Sequence, residues 1–372
     1  MKSQPPPQVL KSLKTQHGSV TLPTFFPDGT RGVVKGVDSV DLENVKVEGL
    51  VINTYHLLAY GLESRMEKMG DIHSLMSWKK PVITDSGGFQ VMSLIHKDES
   101  LGKITEDGAT FKLPGLPRIK LTPEKSIQMQ MKLHADILIC LDDCTKPDAP
   151  KSEQELSVER TIAWAKRCKT EFTHLCSQLG IQALPGVARP LLFAVVQGGN
   201  SKRLRKKCAS ELIKIGFDGY CFGGFLVDDN GKFQRKSLEY LASILPKDKP
   251  KYAMGVGKPE DIVECFKLGY NMFDCVIPTR EARHQKLYVL KLPLSANKLK
   301  SGRADWYSTL YIGSAKTSQD MGPISKYCDC LTCQHFSRAY LHHLFKVGDT
   351  LALRLATIHN LRAYSMLMEM LK

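Results

Sequence analysis

The chain has 372 residues, and its 52 lysines and arginines against 38 aspartates and glutamates give it a formal charge of +14. This length can bury one large α/β domain as readily as two smaller ones. The positive charge favours a polyanionic partner, nucleic acid first, although basic enzymes of small phosphorylated substrates have similar charge.

The composition predicts a cytoplasmic protein that does not associate with membranes. No stretch approaches about 18 uninterrupted apolar residues, which a membrane span requires. The segment Met1–Pro7 has no apolar core of a secretory signal. Eleven cysteines, with one close cluster, are typical of a reduced protein rather than a disulfide scaffold.

Short apolar runs alternate with helical segments along most of the chain. After a hairpin strand predicted within Gly18–Phe26, eight runs are predicted as strands: Arg31–Gly36, Leu50–Asn53, Pro81–Asp85, Asp136–Leu141, Leu191–Gln197, Gly219–Gly223, Tyr252–Val256 and Asn271–Ile277. A helix between each pair of successive strands implies that these strands are parallel and are joined by crossover connections. The alternation predicts an α/β fold, a (β/α)8 TIM barrel, with a doubly wound open sheet as the alternative.

Two segments interrupt the alternation. Residues 91–122, after the third strand, are predicted as a long loop with hairpin character that could cover a binding site. Residues 284–336 follow the eighth strand and are predicted as an inserted subdomain. The predicted division is therefore 1–283 for the barrel, 284–336 for the insert and 337–372 for C-terminal helices that close the barrel.

Polar residues end most of the predicted strands. Barrel enzymes place their chemistry at the carboxyl ends of the strands, so these residues are expected to meet at one face. Loop glycines there would let backbone N–H groups approach a planar ligand. The segments concerned are Asn53–His56, Asp85–Gln90, Asp142–Thr145, Gln197–Gly199, Gly223–Gly224 and Met254–Lys258.

Asp274 lies within the eighth run, among apolar residues. A carboxylate inside such a strand is costly unless it is paired or catalytic. Arg280 and Arg283 follow the strand and could hold an anionic or planar partner near this acid. By itself the stretch fits a structural aspartate as well as a nucleophile, and the other strand ends favour the nucleophile.

Basic residues are concentrated in two places. One group begins the helix after the fifth strand and is interpreted as a solvated face that adds to the positive field. The second lies in the predicted insert, beside aromatic residues. The first consists of Lys202, Arg203, Arg205, Lys206 and Lys207, and the second includes Lys291, Lys298, Lys300, Arg303 and Trp306.

Three thiols lie close together in the predicted insert, at Cys328, Cys330 and Cys333. This spacing suits a tetrahedral Zn²⁺ ion held in a turn. The fourth ligand could be His335, His342, His343 or His359, and we favour His359 because it would tie the insert to the closing helix. Four protein ligands leave no open position, so we predict one structural zinc per chain.

Taken together, these motifs resemble the tRNA-guanine transglycosylases of queuosine biosynthesis, also called queuine or preQ1 tRNA-ribosyltransferases. The resemblance runs in order from about residue 15 to residue 365. The matching segments are Asn53–Leu57, Asp85–Gln90, Gln197–Gly199, Gly223–Gly224, Met254–Gly257, Met272–Val276, Cys328–Cys333, Ser337–His343 and His359–Asn360.

The resemblance implies base exchange at position 34 of a tRNA anticodon, where guanine is replaced by a 7-deazaguanine. Asp274 corresponds to the family's nucleophile, which forms a covalent bond to the ribose C1′. Asp85 corresponds to the general acid/base that protonates the leaving guanine and deprotonates the incoming base. This is the chemistry of a retaining glycosidase in which a base replaces water.

The resemblance also implies the residues that bind the two substrates. Asp142 corresponds to the carboxylate that accepts hydrogen bonds from N1–H and N2–H₂ of guanine. The other base-binding positions are Ser86, Phe89, Gln197, Gly223, Gly224, Phe225 and Met254. The tRNA-binding positions are Lys258, Arg280 and Arg283.

The incoming base and the oligomeric state stay open. Val227 resembles enzymes that use preQ1, whereas enzymes that take queuine commonly have glycine there. Phe225 and Asp229 differ from the bacterial pattern beside the base pocket. Family members act as homodimers or as heterodimers with a paralogue.

Two rival functions remain. The first is a non-catalytic tRNA-binding subunit of such a heterodimer, against which the presence of both Asp85 and Asp274 argues. The second is a zinc-dependent hydrolase, which would need an open metal position.

Overall fold

A ring of eight parallel strands forms the centre of the computed structural model, which describes residues 10–59, 68, 70–112, 118–146, 149–181, 188–226, 233–291, 293 and 306–372. The strands are Thr24–Pro27, Leu50–Asn53, Val82–Asp85, Ile137–Ile139, Leu191–Val196, Gly219–Phe222, Lys251–Ala253 and Met272–Cys275. The eighth strand pairs with the first, and a parallel bridge from Asp28 to Val51 spans the gap between the first and the second. The predicted (β/α)8 barrel is confirmed, and the open sheet is excluded.

The prediction for the first barrel strand was wrong. Arg31–Gly36 is not a strand, and only a single Thr30–Val33 bridge lies in that region. The first barrel strand is Thr24–Pro27, which was assigned to the hairpin, and all four of its residues are buried. Burial on both faces is what a parallel barrel strand requires, and Arg31–Gly36 is too polar to provide it.

Helices cover the outside of the barrel. Several begin with a side chain that caps the first turn, such as Thr122, which accepts a hydrogen bond from the N–H of Lys125. The sequence pattern also predicts a helix at residues 63–70, most of which lies outside the described residues. The helices are Ser39–Asn44, Thr54–Ala59, Ile72–Met76, Gly88–Lys97, Pro123–Lys132, Lys151–Gln178, Lys202–Ile215, Arg235–Ile244, Pro259–Lys267, Ile277–Arg283, Leu331–His335, Arg338–Val347 and Thr350–Leu371. Within the described residues, none of these helices is long and apolar enough to cross a membrane.

The segment after the third strand is more ordered than predicted. The helix Gly88–Lys97 is followed by an antiparallel sheet of the strands Gly102–Thr105, Gly108–Lys112 and Arg118–Leu121. Two side chains of the long helix Lys151–Gln178 hold this sheet. Trp164 Nε1 donates to the carbonyl of Glu106 at 2.7 Å, and Arg167 Nη1 donates to the same carbonyl at 3.0 Å.

The C-terminal part of the chain is joined to the barrel by buried hydrogen bonds. An antiparallel pair of strands, Lys286–Leu290 and Tyr307–Tyr311, follows the eighth barrel strand. From the helix Thr350–Leu371, Tyr364 donates to the carbonyl of Gly257 at 2.5 Å and Asn360 donates to that of Pro278 at 3.0 Å. The division at residues 284 and 336 stays a prediction, and Lys298, Lys300 and Arg303 lie outside the described residues.

A buried ion pair lies at the amino-terminal end of the barrel. Asp136 accepts the backbone N–H groups of His17 at 2.8 Å and Val82 at 2.9 Å. His73 Nε2 lies 3.4 Å from Asp136 Oδ2, while its Nδ1 lies 3.0 Å from the carbonyl oxygen of Trp78. A carbonyl only accepts, so Nδ1 carries a proton, and Nε2 must carry a second one to face the carboxylate favourably. The carboxylate beside Nε2 thus favours the imidazolium form of His73.

Electrostatics agree with this assignment. Burial acts to lower the pKa of His73, but hydrogen bonding to Asp136 and its negative charge raise the pKa above the ordinary value. The His17 and His73 rings are stacked with centroids 3.6 Å apart. The ligand atoms of His17, His73 and Asp136 lie within 4.8 Å of one another, a spacing that could also hold a metal ion.

Replacing Asp136 with alanine is expected to lower the free energy of unfolding by about 3–5 kcal/mol at pH 6, because the imidazolium and two N–H groups lose their partner. The pKa of His73 is raised on folding, so its contribution is present at low pH and is lost as the pH rises through the folded value. The difference between parent and variant should therefore shrink by pH 9 in urea denaturation.

Asp218→Ala is the matched control. Asp218 pairs with Arg189 at 2.6 Å and accepts the N–H of Leu192 at 2.9 Å, without a histidine. Its loss should cost the same free energy at pH 6 and at pH 9. An equal pH dependence for both variants would contradict the charged state of His73.

Candidate active site

The carboxyl ends of the barrel strands surround a cavity of about 440 Å³. Three aspartates converge on it: Asp85 and Asp274 lie in the third and eighth strands, and Asp142 lies three residues after the fourth. Ten of the predicted site residues line the cavity: Asp85, Phe89, Asp142, Gln197, Gly223, Gly224, Phe225, Met254, Lys258 and Asp274.

Asp274 lies half-buried in the eighth strand, and its carboxylate accepts hydrogen bonds from the seventh strand and the loop that follows it. The N–H of Gly255 donates to Asp274 Oδ1 at 2.8 Å, and the Tyr252 hydroxyl also bonds to this carboxylate. Burial raises the pKa of Asp274 to about 6, and the negative charge of Asp85 contributes to the rise. The carboxylate is therefore oriented by two donors and is ionised at neutral pH.

Asp85 ends the third strand, opposite Asn53 of the second strand in the parallel register. Asn53 Nδ2 donates to Asp85 Oδ2 at 2.8 Å. Burial raises the pKa of Asp85 to about 6, although hydrogen bonds from Ser86, Gln90, Asn53 and Gly87 oppose the rise. A carboxyl group with such a pKa can give and accept a proton near neutral pH.

Asp142 follows the fourth strand and faces Gln197 of the fifth. Gln197 Nε2 donates to Asp142 Oδ2 at 2.6 Å. Burial raises the pKa of Asp142 to about 7, with further contributions from the charges of Asp85 and Asp143. The pair presents acceptors and donors side by side, which suits the edge of a purine-like base.

The remaining walls suit a flat ligand. A Cβ atom on Gly223 would lie 2.7 Å from Gln197 Nε2, so only glycine fits there. The rings of Phe89 and Phe225 lie 5.6 Å apart at the cavity, and both side chains are partly exposed. Aromatic faces of this kind stack on planar bases.

Three predicted site residues do not line the cavity. Ser86 is buried, and its Oγ accepts the N–H of Gly88 at 3.2 Å. Arg280 and Arg283 lie on the helix Ile277–Arg283, which follows Asp274 directly, and Arg283 Nη1 donates to the carbonyl of Thr279. Val227 and Asp229 lie outside the described residues.

Sequence reasoning missed the two groups that orient Asp274. Gly255 lies in a predicted strand-end segment, but no sequence signal shows that its N–H points toward Asp274. Tyr252 was predicted only as a strand residue. The sequence analysis likewise did not identify Gln90 as a hydrogen-bond donor to Asp85, although both residues lie in the segment Asp85–Gln90.

The four predicted metal ligands come together in one buried group of Cys328, Cys330, Cys333 and His359, with their ligand atoms within 4.8 Å of one another. The sulfur atoms of Cys330 and Cys333 lie 3.6 and 3.2 Å from His359 Nδ1. Ligand atoms of a tetrahedral site with bonds of about 2.1–2.3 Å lie roughly 3.5 Å apart, so these distances fit.

The second ring nitrogen of His359 supports the same assignment. His359 Nε2 lies 2.7 Å from the carbonyl oxygen of Tyr288, so it carries the proton and leaves Nδ1 free for a metal. His342, an alternative ligand, bonds instead to the carbonyl of Ile312 at 2.8 Å. The group can hold a metal ion, and His359 is its fourth member.

The fold and the cavity define a (β/α)8 barrel that brings three carboxyl groups together at the carboxyl ends of its strands. The family model described as queuine tRNA-ribosyltransferase matches residues 10–372. The chain belongs to this family of tRNA-modifying pentosyltransferases, which confirms the resemblance found in the sequence.

Relatives with curated names agree with the family. The chain is 42% identical over 355 residues to a queuine tRNA-ribosyltransferase of Mannheimia succiniciproducens, covering 95% of this chain and 86% of that protein. It is 40% identical over 359 residues to one from a Psychrobacter species, covering 96% and 87%. A relative of the same name from Acinetobacter baumannii is 41% identical over 359 residues, with the same coverage.

Proposed function

We propose that this chain exchanges the guanine at position 34 of a tRNA anticodon for a 7-deazaguanine, preQ1 or queuine, through a covalent bond between Asp274 and the ribose. The observation that carries the proposal is the convergence of Asp274, Asp85 and Asp142 on one cavity with a flat, aromatic wall. Family membership supplies tRNA as the substrate.

The first half of the reaction breaks the glycosidic bond. A carboxylate oxygen of Asp274 attacks C1′, and the bond between C1′ and the guanine nitrogen breaks with its electron pair going to the base. Asp85 gives its proton to the leaving guanine. The N–H of Gly255 and the Tyr252 hydroxyl hold the Asp274 carboxylate in place for the attack.

The second half reverses these roles. The incoming 7-deazaguanine loses its ring N–H proton to Asp85, and its nitrogen attacks C1′. The C1′–oxygen bond to Asp274 breaks and the carboxylate is restored. The same cavity must bind both bases, which share the guanine edge that Asp142 recognises.

The other predicted residues have binding roles in this proposal. Gln197, Ser86 and the backbone N–H of Gly224 serve the edge of the base, and Phe89, Phe225 and Met254 lie beside it. Lys258, Arg280 and Arg283 contact the tRNA next to the extracted nucleotide, within the positive field of the chain.

The metal in this proposal is zinc, with a structural role. The donor set of three thiolates and one imidazole is one that Zn²⁺ prefers, and it leaves no position for a substrate. When bound, zinc would cross-link the helix Leu331–His335, which carries Cys333, to the helix Thr350–Leu371, which carries His359.

The direct test is incorporation of labelled guanine, preQ1 and queuine, offered separately, into a tRNA with guanine at position 34. Incorporation of at least one base is expected from the pure chain. Use of preQ1 but not queuine would define a biosynthetic enzyme, and efficient use of queuine would define a salvage enzyme. If no base is incorporated, the rival function of a non-catalytic subunit is supported.

Subunit composition is part of the proposal. We propose a dimer, either of two copies of this chain or of this chain with a paralogue, as the resemblance to the family implies. Light scattering of the pure chain distinguishes these arrangements, because a homodimer has twice the 41.6 kDa of one chain. Dilution to monomer is expected to abolish exchange if the dimer is needed for activity.

The rate of exchange is expected to follow a bell-shaped curve with a maximum near neutral pH. Burial raises the pKa of Asp274 to about 6 and that of Asp142 to about 7, and both must be ionised, so the rate falls toward pH 5. Burial also raises the pKa of Asp85 to about 6, and loss of its proton lowers the rate at high pH. Initial rates of guanine exchange from pH 5 to pH 9 test this, and the limbs report the coupled carboxylates together. A rate independent of pH across this range would contradict these roles.

A further inference from the structure

Arg205 is a buried arginine beside the base cavity, on the helix Lys202–Ile215. It is only 2% exposed. Within the described residues, the groups whose charges chiefly act on its guanidinium are Tyr270, Cys208 and Cys144, and none of these is a carboxylate. Burial lowers the pKa of Arg205 to about 10, which shows how unfavourable this position is for a positive charge. Such a burial is costly unless the guanidinium is held by hydrogen bonds.

Those hydrogen bonds go to the turn that carries Gln197. Arg205 Nη1 donates to the carbonyl of Val196, directly before Gln197, and Nε donates to the carbonyl of Gly199 at 3.0 Å. The planar guanidinium therefore spans the turn on both sides of Gln197. This two-point contact needs the fixed fork of an arginine.

The same guanidinium reaches the sixth strand. It lies over the Phe222 ring, with 4.3 Å between the guanidinium carbon and the ring centroid. A Cβ atom on Gly224 would lie 3.5 Å from Arg205 Nη2. Phe222 and Gly224 line the cavity, as does Gln197. Arg205 therefore contacts both the Gln197–Gly199 turn and the end of the sixth strand, on the side away from the cavity.

The backbone of the turn leaves little room for any other arrangement. Gly198 has a φ of 134°, and a Cβ atom there would lie 2.6 Å from the backbone nitrogen of Arg205. The turn is thus packed directly on the first turn of the helix. Gln197 in turn donates to Asp142, so the orientation of the base-reading carboxylate depends on this turn.

We propose that Arg205 is a positioning residue for base recognition, which holds the Gln197–Gly199 turn against the sixth strand so that Gln197 keeps Asp142 aimed at the base. The proposal rests on the proposed function. Arg205 is not among the residues that line the cavity, and its effect is transmitted through Gln197 and Asp142.

The test compares Arg205→Met and Arg205→Lys with the parent in exchange assays that vary the free base and the tRNA separately. Arg205→Met should raise KM for the incoming base by about 10- to 100-fold, the effect of losing one or two hydrogen-bonding interactions. Arg205→Lys keeps the charge but not the fork, and should fall between the parent and Arg205→Met. The Kd for tRNA, dominated by backbone contacts, should stay within about twofold.

The pH profile supplies a readout that a general loss of stability would not produce. If Gln197 no longer donates steadily to Asp142, the pKa of that carboxyl should rise further, and the acid limb should move to higher pH. Combining Arg205→Lys with Gln197→Ala should cost no more than Gln197→Ala alone, because the first residue acts through the second.

Arg189→Met is the matched control. Arg189 is partly buried, lies over the Phe172 ring at 5.7 Å as Arg205 lies over Phe222, and bonds to Asp218 at the opposite end of the fifth strand. The Arg189→Met variant should have the same KM for the base as the parent. An equal rise in both variants, or an unchanged KM in both Arg205 variants, would overturn the proposal while leaving the exchange reaction intact. Failure of the parent to incorporate any base would instead refute the proposed function.

Discussion

Replacing Asp274 with asparagine is expected to reduce guanine exchange by a factor on the order of 10³ or more, because an amide cannot displace the base from C1′. The parent should form an adduct with tRNA that survives denaturing electrophoresis, and the variant should form none. Incorporation of labelled guanine and adduct trapping measure the two effects on the same preparations.

The Asp274→Asn protein is expected to be folded. Folding raises the pKa of Asp274 from 3.8 to about 6, so the parent loses stability as the pH rises between these values and bears the full cost above about 6. The variant should therefore unfold at the same temperature as the parent or a higher one at pH 8. Asp261→Asn is the comparison, because Asp261 lines the same cavity and burial also raises its pKa to about 6, whereas no catalytic role is proposed for it. Exchange by Asp274→Asn at the parent's rate would rule out the covalent mechanism.

Loss of the metal is expected to have the largest effect on stability. Cys330→Ser should remove bound zinc and lower the free energy of unfolding by more than about 3 kcal/mol, since binding energy at a structural zinc site is folding energy. Elemental analysis and thermal unfolding measure the two quantities. The helix Thr350–Leu371 carries His359 and packs against the barrel, so exchange activity should fall as well.

A cysteine outside the metal group provides the comparison. Cys176→Ala, in the helix Lys151–Gln178, should retain one zinc per chain and lose only the free energy of a small cavity, about 1 kcal/mol. An active, stable parent that contains no metal would refute the structural role of zinc.

The strand ends and the metal ligands were predictable from sequence because each follows from a local rule. Parallel strands bring their carboxyl ends to one face, so Asp85, Asp142 and Gln197 could be placed together before any coordinates were known. Closely spaced thiols indicate a metal site, and His359 could be preferred because it lies on the next long helix. The first strand, Thr24–Pro27, was missed because four residues ending in proline carry little periodic signal.

Arg205 shows what sequence reasoning could not recover. It lies among four other basic residues at the start of a helix, and that group was interpreted as a solvated face. Its neighbour Arg203 is indeed largely exposed and pairs with Glu155. Arg205 is buried because the Gln197–Gly199 turn packs on this helix. The order of charged residues along the sequence does not predict such packing.

The hydrogen bond from Tyr364 to Gly257 has a consequence for the order of events during translation. Gly257 lies two residues after Gly255, whose N–H donates to Asp274, and Tyr364 is synthesised long after both. Domains form progressively as the chain leaves the ribosome, yet the seventh-strand loop gains this support only when Tyr364 emerges. A nascent chain that already contains every carboxylate of the site should therefore remain inactive toward tRNA until the helix Thr350–Leu371 has been synthesised and packed.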